Sequence, residues 1–155
     1  MKEIPLTRGK VTLVDDEDFE WLNQWKWQCS ASGYAIRRLP RPIRETIWMH
    51  REIMHTPKGM DTDHINCNRS DNRRCNLRIC TRSQNKANAF IQANNTSGYK
   101  GIKWHGREKL WLAYIQVNGK ECYLGSYKTK EDAALAYNNG AIKYFGEFAK
   151  INVIA

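Results

Sequence analysis

Apolar residues recur along this chain first in short, irregular runs and then, beyond residue 98, in a regular alternation. Lys10 to Val14 reads as a short strand, and Asp15 or Asp16 is placed to cap a helical turn carrying Phe19, Trp21 and Leu22. Trp25, Trp27 and Cys29 alternate with polar residues as on a strand, and Gly33 turns the chain into a second β segment, Tyr34 to Leu39. Pro40 and Pro42 break that pattern. Trp48 to His55 reads as a short helix, ended by Pro57 and Gly59. Residues 61–66 are extended, and a polar loop rich in Asn and Arg runs from Asn66 to Arg78. Thr81-Arg82-Ser83-Gln84 has the spacing of a capping box, which predicts a helix from there through Ala89 or beyond.

The run Asn94-Asn95-Thr96-Ser97-Gly98 is the best linker candidate, and a different pattern follows it. Tyr99 to Trp104 reads as a strand. In the next one, Trp111, Ala113, Ile115 and Val117 share a face. Asn118-Gly119 is a two-residue hairpin turn, and Glu121 to Tyr127 returns as a third strand. Thr129 and Asp132 then cap a helix whose small face, Ala133, Ala136, Tyr137, Gly140 and Ala141, can lie close on a sheet, and Gly146 ends it.

Composition narrows what such a chain can be. Its 155 residues allow one ordinary domain or two small ones, and 41% hydrophobic residues suffice for packed cores. No apolar run is long enough to span a bilayer, so no membrane partner is expected. The acidic Asp15-Asp16-Glu17-Asp18 is foreign to a secretory signal, so a soluble, cytoplasmic protein of a bacterial or phage-infected cell is expected. Five cysteines with no C-x-x-C pair read as reduced, small apolar side chains. The net charge of +9 is uneven: −3 over residues 1–24, +8 over 25–97 and +4 over 98–155. A basic middle and end suit a polyanion such as nucleic acid, because each phosphate contact releases condensed counterions.

Asp63-His64 brings in chemistry. Hydrolysing a phosphodiester needs an activated water, a cation on the phosphate oxygens and a stabilised leaving oxygen. A histidine can act as base near neutral pH, and an oxygen-ligated divalent ion can serve the other two needs. Neighbours on a strand point to opposite sides, so Asp63 can face a metal while His64 reaches a water. The first turn of the helix after Thr81 offers Asn85 as a second oxygen ligand.

An Asp-His pair alone is most often a hydrogen-bonded turn. Here it opens a longer run: Asp63-His64-Ile65-Asn66, Asp71-Asn72-Arg73-Arg74-x-Asn76-Leu77-Arg78, Thr81, and Gln84-Asn85-x-x-Asn88. This run closely resembles the HNH family of homing endonucleases, the ββα-metal nucleases of phages and mobile introns, over roughly residues 46–90. The resemblance implies one divalent ion, Mg²⁺ or Mn²⁺, held by Asp63 and Asn85, with His64 as general base. Asn76, twelve residues after His64, corresponds to the Asn that braces the loop and so orients the histidine. Asn85, twenty-two residues after Asp63, stands where many family members carry His. His50, in a His-Arg pair ahead of the motif, is open to a supporting or phosphate role or to plain packing, and Asn88 to support of the site or a surface position. His55 reads as a polar residue at a helix end.

Residues 98–152 carry a second resemblance. Gly98-Tyr99-Lys100-Gly101-Ile102, Trp111-x-Ala113-x-Ile115, Leu124-Gly125-Ser126-Tyr127, Glu131-x-Ala133-Ala134-x-Ala136-Tyr137 and Asn152 look like the APETALA2/ethylene-response-factor DNA-binding domain. That implies a three-stranded antiparallel sheet on one helix, with the sheet entering the major groove of double-stranded DNA. Lys100, Lys103, Tyr114, Gln116, Glu121 and Tyr123 then fall on or near the DNA face, while Arg37 and Arg38, with Arg41 and Arg44, would add phosphate contacts. Trp111 is expected in the core; Trp104 is left open. The expected architecture is α+β: an N-terminal segment plus ββα-metal nuclease domain over 1–93, a linker over 94–98 and the sheet-and-helix domain over 99–155. A site-preferring nuclease acting as a monomer on DNA is the leading reading. A non-catalytic DNA-binding protein that keeps the nuclease fold is the other, and the presence of Asp63, His64 and Asn85 together favours the first.

Overall fold

A computed structural model describes residues 1–154, and the chain divides into two compact units, Met1–Thr81 and a second from Arg82 onward. Both mix helices with antiparallel sheet, the α+β class expected.

In the first unit β1 (Lys2–Pro5) pairs antiparallel with β2 (Val11–Val14), Lys2 opposite Val14. The helix α1 (Asp16–Leu22) follows, but Asp15 does not close its N-terminus with its side chain. That carboxylate instead accepts the Arg74 amide at 2.7 Å. A three-stranded sheet is built from β3 (Gln28–Cys29), β4 (Ala35–Arg38) and β5 (Thr46–Trp48), and α2 (Met49–Ile53) continues directly from it. A hairpin of β6 (Asp61–His64) and β7 (Leu77–Cys80) completes the unit, with Asp63 opposite Arg78 and His64 opposite Leu77. The expected polar loop therefore ends two residues early, since Leu77 turns inward and Arg78 pairs. Ile4, Val14, Leu22, Met49, Ile53 and Leu77 form the centre of the core, each buried apolar side chain contributing about 1.5–3 kcal/mol.

The second unit opens with α3 (Arg82–Asn88) and continues with β8 (Ile102–His105), β9 (Leu110–Val117), β10 (Lys120–Tyr127) and α4 (Lys130–Phe145). The two compact units part after Thr81. A seven-residue helix is not stable alone, and α3 finds its support here. Ala87 joins the second core, the Lys150 amide donates to the Ala87 carbonyl at 3.2 Å, and the Asn118 amide donates to Ser83 Oγ at 2.9 Å. Residues 94–98, read as a linker, carry their own hydrogen bonds. Asn95 Oδ1 accepts from the Gly98 amide at 2.8 Å, and buried Ser97 donates to the Tyr99 carbonyl at 2.8 Å.

The sheet order is β10-β9-β8. Asn118 and Gly119 take φ of 50° and 83°, the pair of positive values that a two-residue turn between right-twisted strands requires. On one face Ile102, Ala113 and Ile115 pack under Ala133, Ala134, Tyr137 and Ala141 of α4. The Thr129 hydroxyl accepts from the Asp132 amide and starts that helix, and Gly146 at φ 52° ends it, as the sequence predicts. Gly101 has φ +77°, and a Cβ there would lie 2.2 Å from the Tyr137 ring. Asn152 closes the unit: it accepts from the Lys100 amide at 2.7 Å and exchanges backbone-to-side-chain bonds with Asn138.

Candidate active site and DNA-facing sheet

His64 ends β6 with only 5% of its surface exposed. Burial pushes its imidazole below the ordinary histidine range, against a smaller upward effect from its hydrogen bond to Asn72, so the ring is neutral at neutral pH. Asp63, one residue earlier, points the other way toward its cross-strand partner, and the Arg78 Nε and guanidinium NH₂ both donate to Asp63 Oδ2 at 2.9 Å. That arginine fixes the direction of a buried carboxylate.

The loop between the strands is braced by Asn76. Its Oδ1 accepts from the Asn66 amide at 3.0 Å and its Nδ2 donates to the Asp71 carbonyl at 2.8 Å, while its own carbonyl accepts from the Ile65 amide. Asp71 forms a two-pronged pair with Arg73, both bonds 2.7 Å long. Arg74 reaches α1, donating to both Asp18 carboxylate oxygens at 2.8 and 2.7 Å. The acidic stretch near the start of the chain is therefore a grip on this loop.

Three groups beside His64 were not identified from sequence as its neighbours. Asn72 Oδ1 lies 3.0 Å from His64 Nε2. His50 meets the imidazole edge-on and Tyr34 at a tilt, with ring centroids 5.1 and 5.8 Å away. The exposed Arg69 lies over Tyr34 at 4.8 Å. His50 itself is buried, which drives its pKa down to about 3 and keeps it uncharged. Nothing local in the sequence marks these contacts, because each crosses between elements far apart in the chain.

In the second unit Asn85 is half-buried on α3, and buried Asn88 lies one turn on, so the two share a face of the helix. On the sheet, the face turned away from α4 gathers Lys103, Tyr114, Gln116, Glu121 and Tyr123. Tyr114 sits opposite Tyr123 and Gln116 opposite Glu121. Lys103 Nζ meets Glu121 at 2.7 Å and lies 4.8 Å over the Tyr114 ring. Lys100 behaves differently. Its ammonium donates to the carbonyls of Ala87, Ala89 and Lys86 at 2.6, 2.9 and 3.4 Å, at the C-terminal end of α3. Arg38 is exposed, whereas Arg37 lies over Trp25 at 4.4 Å and 3.7 Å from Glu52. Trp111 is half-buried against the core, and half-exposed Trp104 stacks on it at 4.9 Å.

An uncharacterized HNH endonuclease of Acanthamoeba polyphaga mimivirus is 30% identical to this chain over 153 residues, 96% of this chain and 79% of that protein. The chain belongs to the HNH endonuclease family. The family model for HNH endonuclease matches residues 55–87, which contain β6, the braced loop and β7. Protein 3.8 of Escherichia phage T7 is 31% identical over 94 residues, covering 61% of this chain and 77% of that protein. The likeness to plant factors is confined to part of this HNH endonuclease: APETALA2-like protein 2 of Oryza sativa subsp. indica is 39% identical over 59 residues, 38% of this chain and 14% of that protein. This HNH endonuclease is a DNA nuclease with an APETALA2-type sheet and helix at its C-terminal end.

HNH nucleases work with a divalent metal, and the donors present fit one. Among the described residues no three His, Cys, Asp or Glu side chains gather to form a closed cage. A buried carboxylate steered by Arg78 is a hard oxygen donor. It suits an ion that completes its shell with water and phosphate.

Proposed function

We propose that this HNH endonuclease hydrolyses a single DNA phosphodiester with His64 as general base and one Mg²⁺ or Mn²⁺ held by Asp63 and Asn85. The observation that carries the reading is a buried, neutral imidazole beside a braced loop, with a fixed carboxylate on the adjacent residue. His64 takes a proton from water, the water oxygen bonds to phosphorus, and the bond to the leaving sugar oxygen breaks. A bound metal ion would supply charge stabilisation of the phosphate and of that oxygen. Asn76 keeps the loop, and so the histidine, in place, and exposed Arg69 offers a cation to a backbone phosphate near the base.

The sheet face carrying Lys103, Tyr114, Gln116, Glu121 and Tyr123 reads the duplex. Gln is suited to adenine, Glu to cytosine and Lys to guanine or phosphate. Exposed Arg38, Arg41 and Arg44 add phosphate contacts; Arg37 and Lys100 serve mainly to hold their own units together. One base and one metal attack one phosphate, so the protein acts as a monomer that nicks, in the manner of phage and mobile-element homing nucleases. A plasmid-nicking assay tests this. EDTA is expected to abolish nicking, and His64→Ala to slow it by about 10²–10⁴-fold with DNA binding retained. Equal, EDTA-resistant nicking by the two proteins would remove His64 and the metal from the reaction, and DNA binding without nicking by either would leave a DNA-binding protein on a nuclease fold.

A further inference from the structure

Asn72 has no exposed surface, and its neighbours fix which way its amide points. Nδ2 lies 2.7 Å from Thr12 Oγ1 and 3.7 Å from Met49 Sδ, while Oδ1 lies 3.0 Å from His64 Nε2. The single proton of the Thr12 hydroxyl is directed to the Ser70 carbonyl at 2.9 Å, an oxygen that can only accept. Thr12 Oγ1 therefore accepts from Asn72, and a thioether sulfur likewise favours a donor. Turning the amide over would set its oxygen against that sulfur and draw the Thr12 proton off Ser70. With the amide fixed, its oxygen faces the imidazole. An amide oxygen accepts only, so Nε2 carries the ring proton and Nδ1 holds the lone pair.

We propose that Thr12 and Asn72 are positioning residues that hold His64 as its Nε2–H tautomer, making Nδ1 the nitrogen that takes the proton from water. The inference rests on the reading of His64 as general base. It goes further by naming the nitrogen and by bringing the N-terminal hairpin into the catalytic apparatus. The backbone supports the relay: the Leu13 amide donates to the Ser70 carbonyl at 2.8 Å, and the Asn72 amide donates to the Leu13 carbonyl at 2.9 Å. Strand β2 thus runs beside the loop in a parallel bridge, Leu13 to Asp71, and carries Thr12 to its place. The arrangement parallels other sites in which a partner on one ring nitrogen sets the chemistry of the other, where losing the partner costs about 10–100-fold in activity.

The test uses the full chain, ¹⁵N-labelled, in a long-range proton–nitrogen spectrum of the histidine rings at neutral pH, with His64→Ala to assign the signals. Wild type is expected to show His64 protonated at Nε2. Thr12→Val keeps the shape but removes the acceptor, so the amide is released to turn and the Nδ1–H form becomes populated. Thr12→Ser restores the acceptor and the wild-type spectrum. In nicking assays Thr12→Val and Asn72→Leu are expected to lower kcat by about 10–100-fold with KM unchanged, and Thr12→Ser to recover it. Should Asn72→Leu fail to fold, the Thr12 pair decides. A wild-type ring protonated at Nδ1, or a tautomer that does not move in Thr12→Val, overturns the relay alone. A tautomer that shifts as expected while His64→Ala cuts at the wild-type rate overturns the general-base reading, and the catalytic part of this inference with it.

Discussion

Replacing Lys100 by Met separates two roles that one lysine cannot fill together. The methionine keeps an unbranched stem but deletes the ammonium that meets the Ala87, Ala89 and Lys86 carbonyls at 2.6, 2.9 and 3.4 Å. A hydrogen bond to a charged group is worth about 1.5–3 kcal/mol, and a cation at a helix C-terminus about 0.3–1 kcal/mol. Only two of the three distances are short and the side chain is half-buried, so the low end applies and the expected loss is about 2 kcal/mol. A unit of this size loses roughly 4–8 °C of melting temperature per kcal/mol, which gives a fall of about 8–16 °C in its transition. The loss is concentrated at the end of α3, a helix too short to persist unaided. Its Lys86–Ala89 amides should exchange about thirtyfold faster in hydrogen–deuterium exchange read by mass spectrometry, since 1.4 kcal/mol is a factor of ten. Nicking should slow as well, because Asn85 sits on that helix. The reasoning fails if the variant melts like wild type while its DNA affinity drops and its salt slope falls by about 0.9, the signature of one lost phosphate contact.

Three further expectations follow from other parts of the chain. Asn85→His adds an imidazole nitrogen to an oxygen donor set, so activity with Co²⁺, Ni²⁺ or Zn²⁺ should rise relative to Mg²⁺ in a nicking series; identical rankings for both proteins would remove Asn85 from the metal. In Gly101→Ala the new Cβ would meet the Tyr137 ring at 2.2 Å and the Tyr114 carbonyl oxygen at 2.4 Å, at φ +77°. Overpacking and backbone strain add to more than about 3 kcal/mol, visible as a lower denaturation midpoint, and an unchanged midpoint would contradict the close approach. The Arg73 guanidinium bonded to Asp71 holds that carboxyl below its usual range. A lowered folded-state value stabilises above the unfolded carboxylate pKa and is lost as pH falls through the folded one. Thermal stability should therefore drop below about pH 4, less steeply in Arg73→Met, and equal acid profiles for the two proteins would show that the pair is not coupled to folding.

What could be read from sequence divides by how local its cause is. The hairpin at Asn118-Gly119, the alternation in β9 and the Thr129 cap depend on neighbours a few residues apart, and each stands where it was expected. Strands β1, β5 and β7 leave no readable alternation in the sequence. Each has three or four residues with at most two turned inward, and their pairing comes from distant partners such as Val14 for Lys2. The helix α3 was legible from its capping pattern, but its membership of the second unit was not, because Lys100 and Lys150 decide it. Asp63 and His64 could be picked out because the motif is compact. Asn72 could not be given a role, since that depends on Thr12, sixty residues away. Long cations are the hardest case: Lys100 and Arg37 have the composition of DNA contacts, and only packing assigns them to a helix end and a tryptophan face.

The motif residues need a scaffold that they do not contain. A hairpin of two four-residue strands is marginal alone, so β6, β7 and their loop must be held from outside. The N-terminal segment supplies that hold through opposite charge: Arg74 bonds to Asp18 at 2.7 Å and Glu17 at 3.0 Å, and its amide bonds to Asp15. Two of the carboxylates that make residues 1–24 negative are therefore spent on one cation of the basic middle segment, and a third on the backbone amide of the same residue. Arg73 is likewise spent on Asp71, and Arg78 on Asp63. The +8 of residues 25–97 overstates what this segment can offer to DNA. Arg38, Arg41, Arg44, Arg69 and Arg82 are the exposed arginines to weigh in a phosphate interface. Each one that neutralises a phosphate should contribute about −0.9 to the slope of log affinity against log salt. Arg69→Gln should reduce that slope by one such step while leaving the His64 tautomer unchanged. A shifted tautomer with an unchanged slope would instead show Arg69 acting on the base through Tyr34.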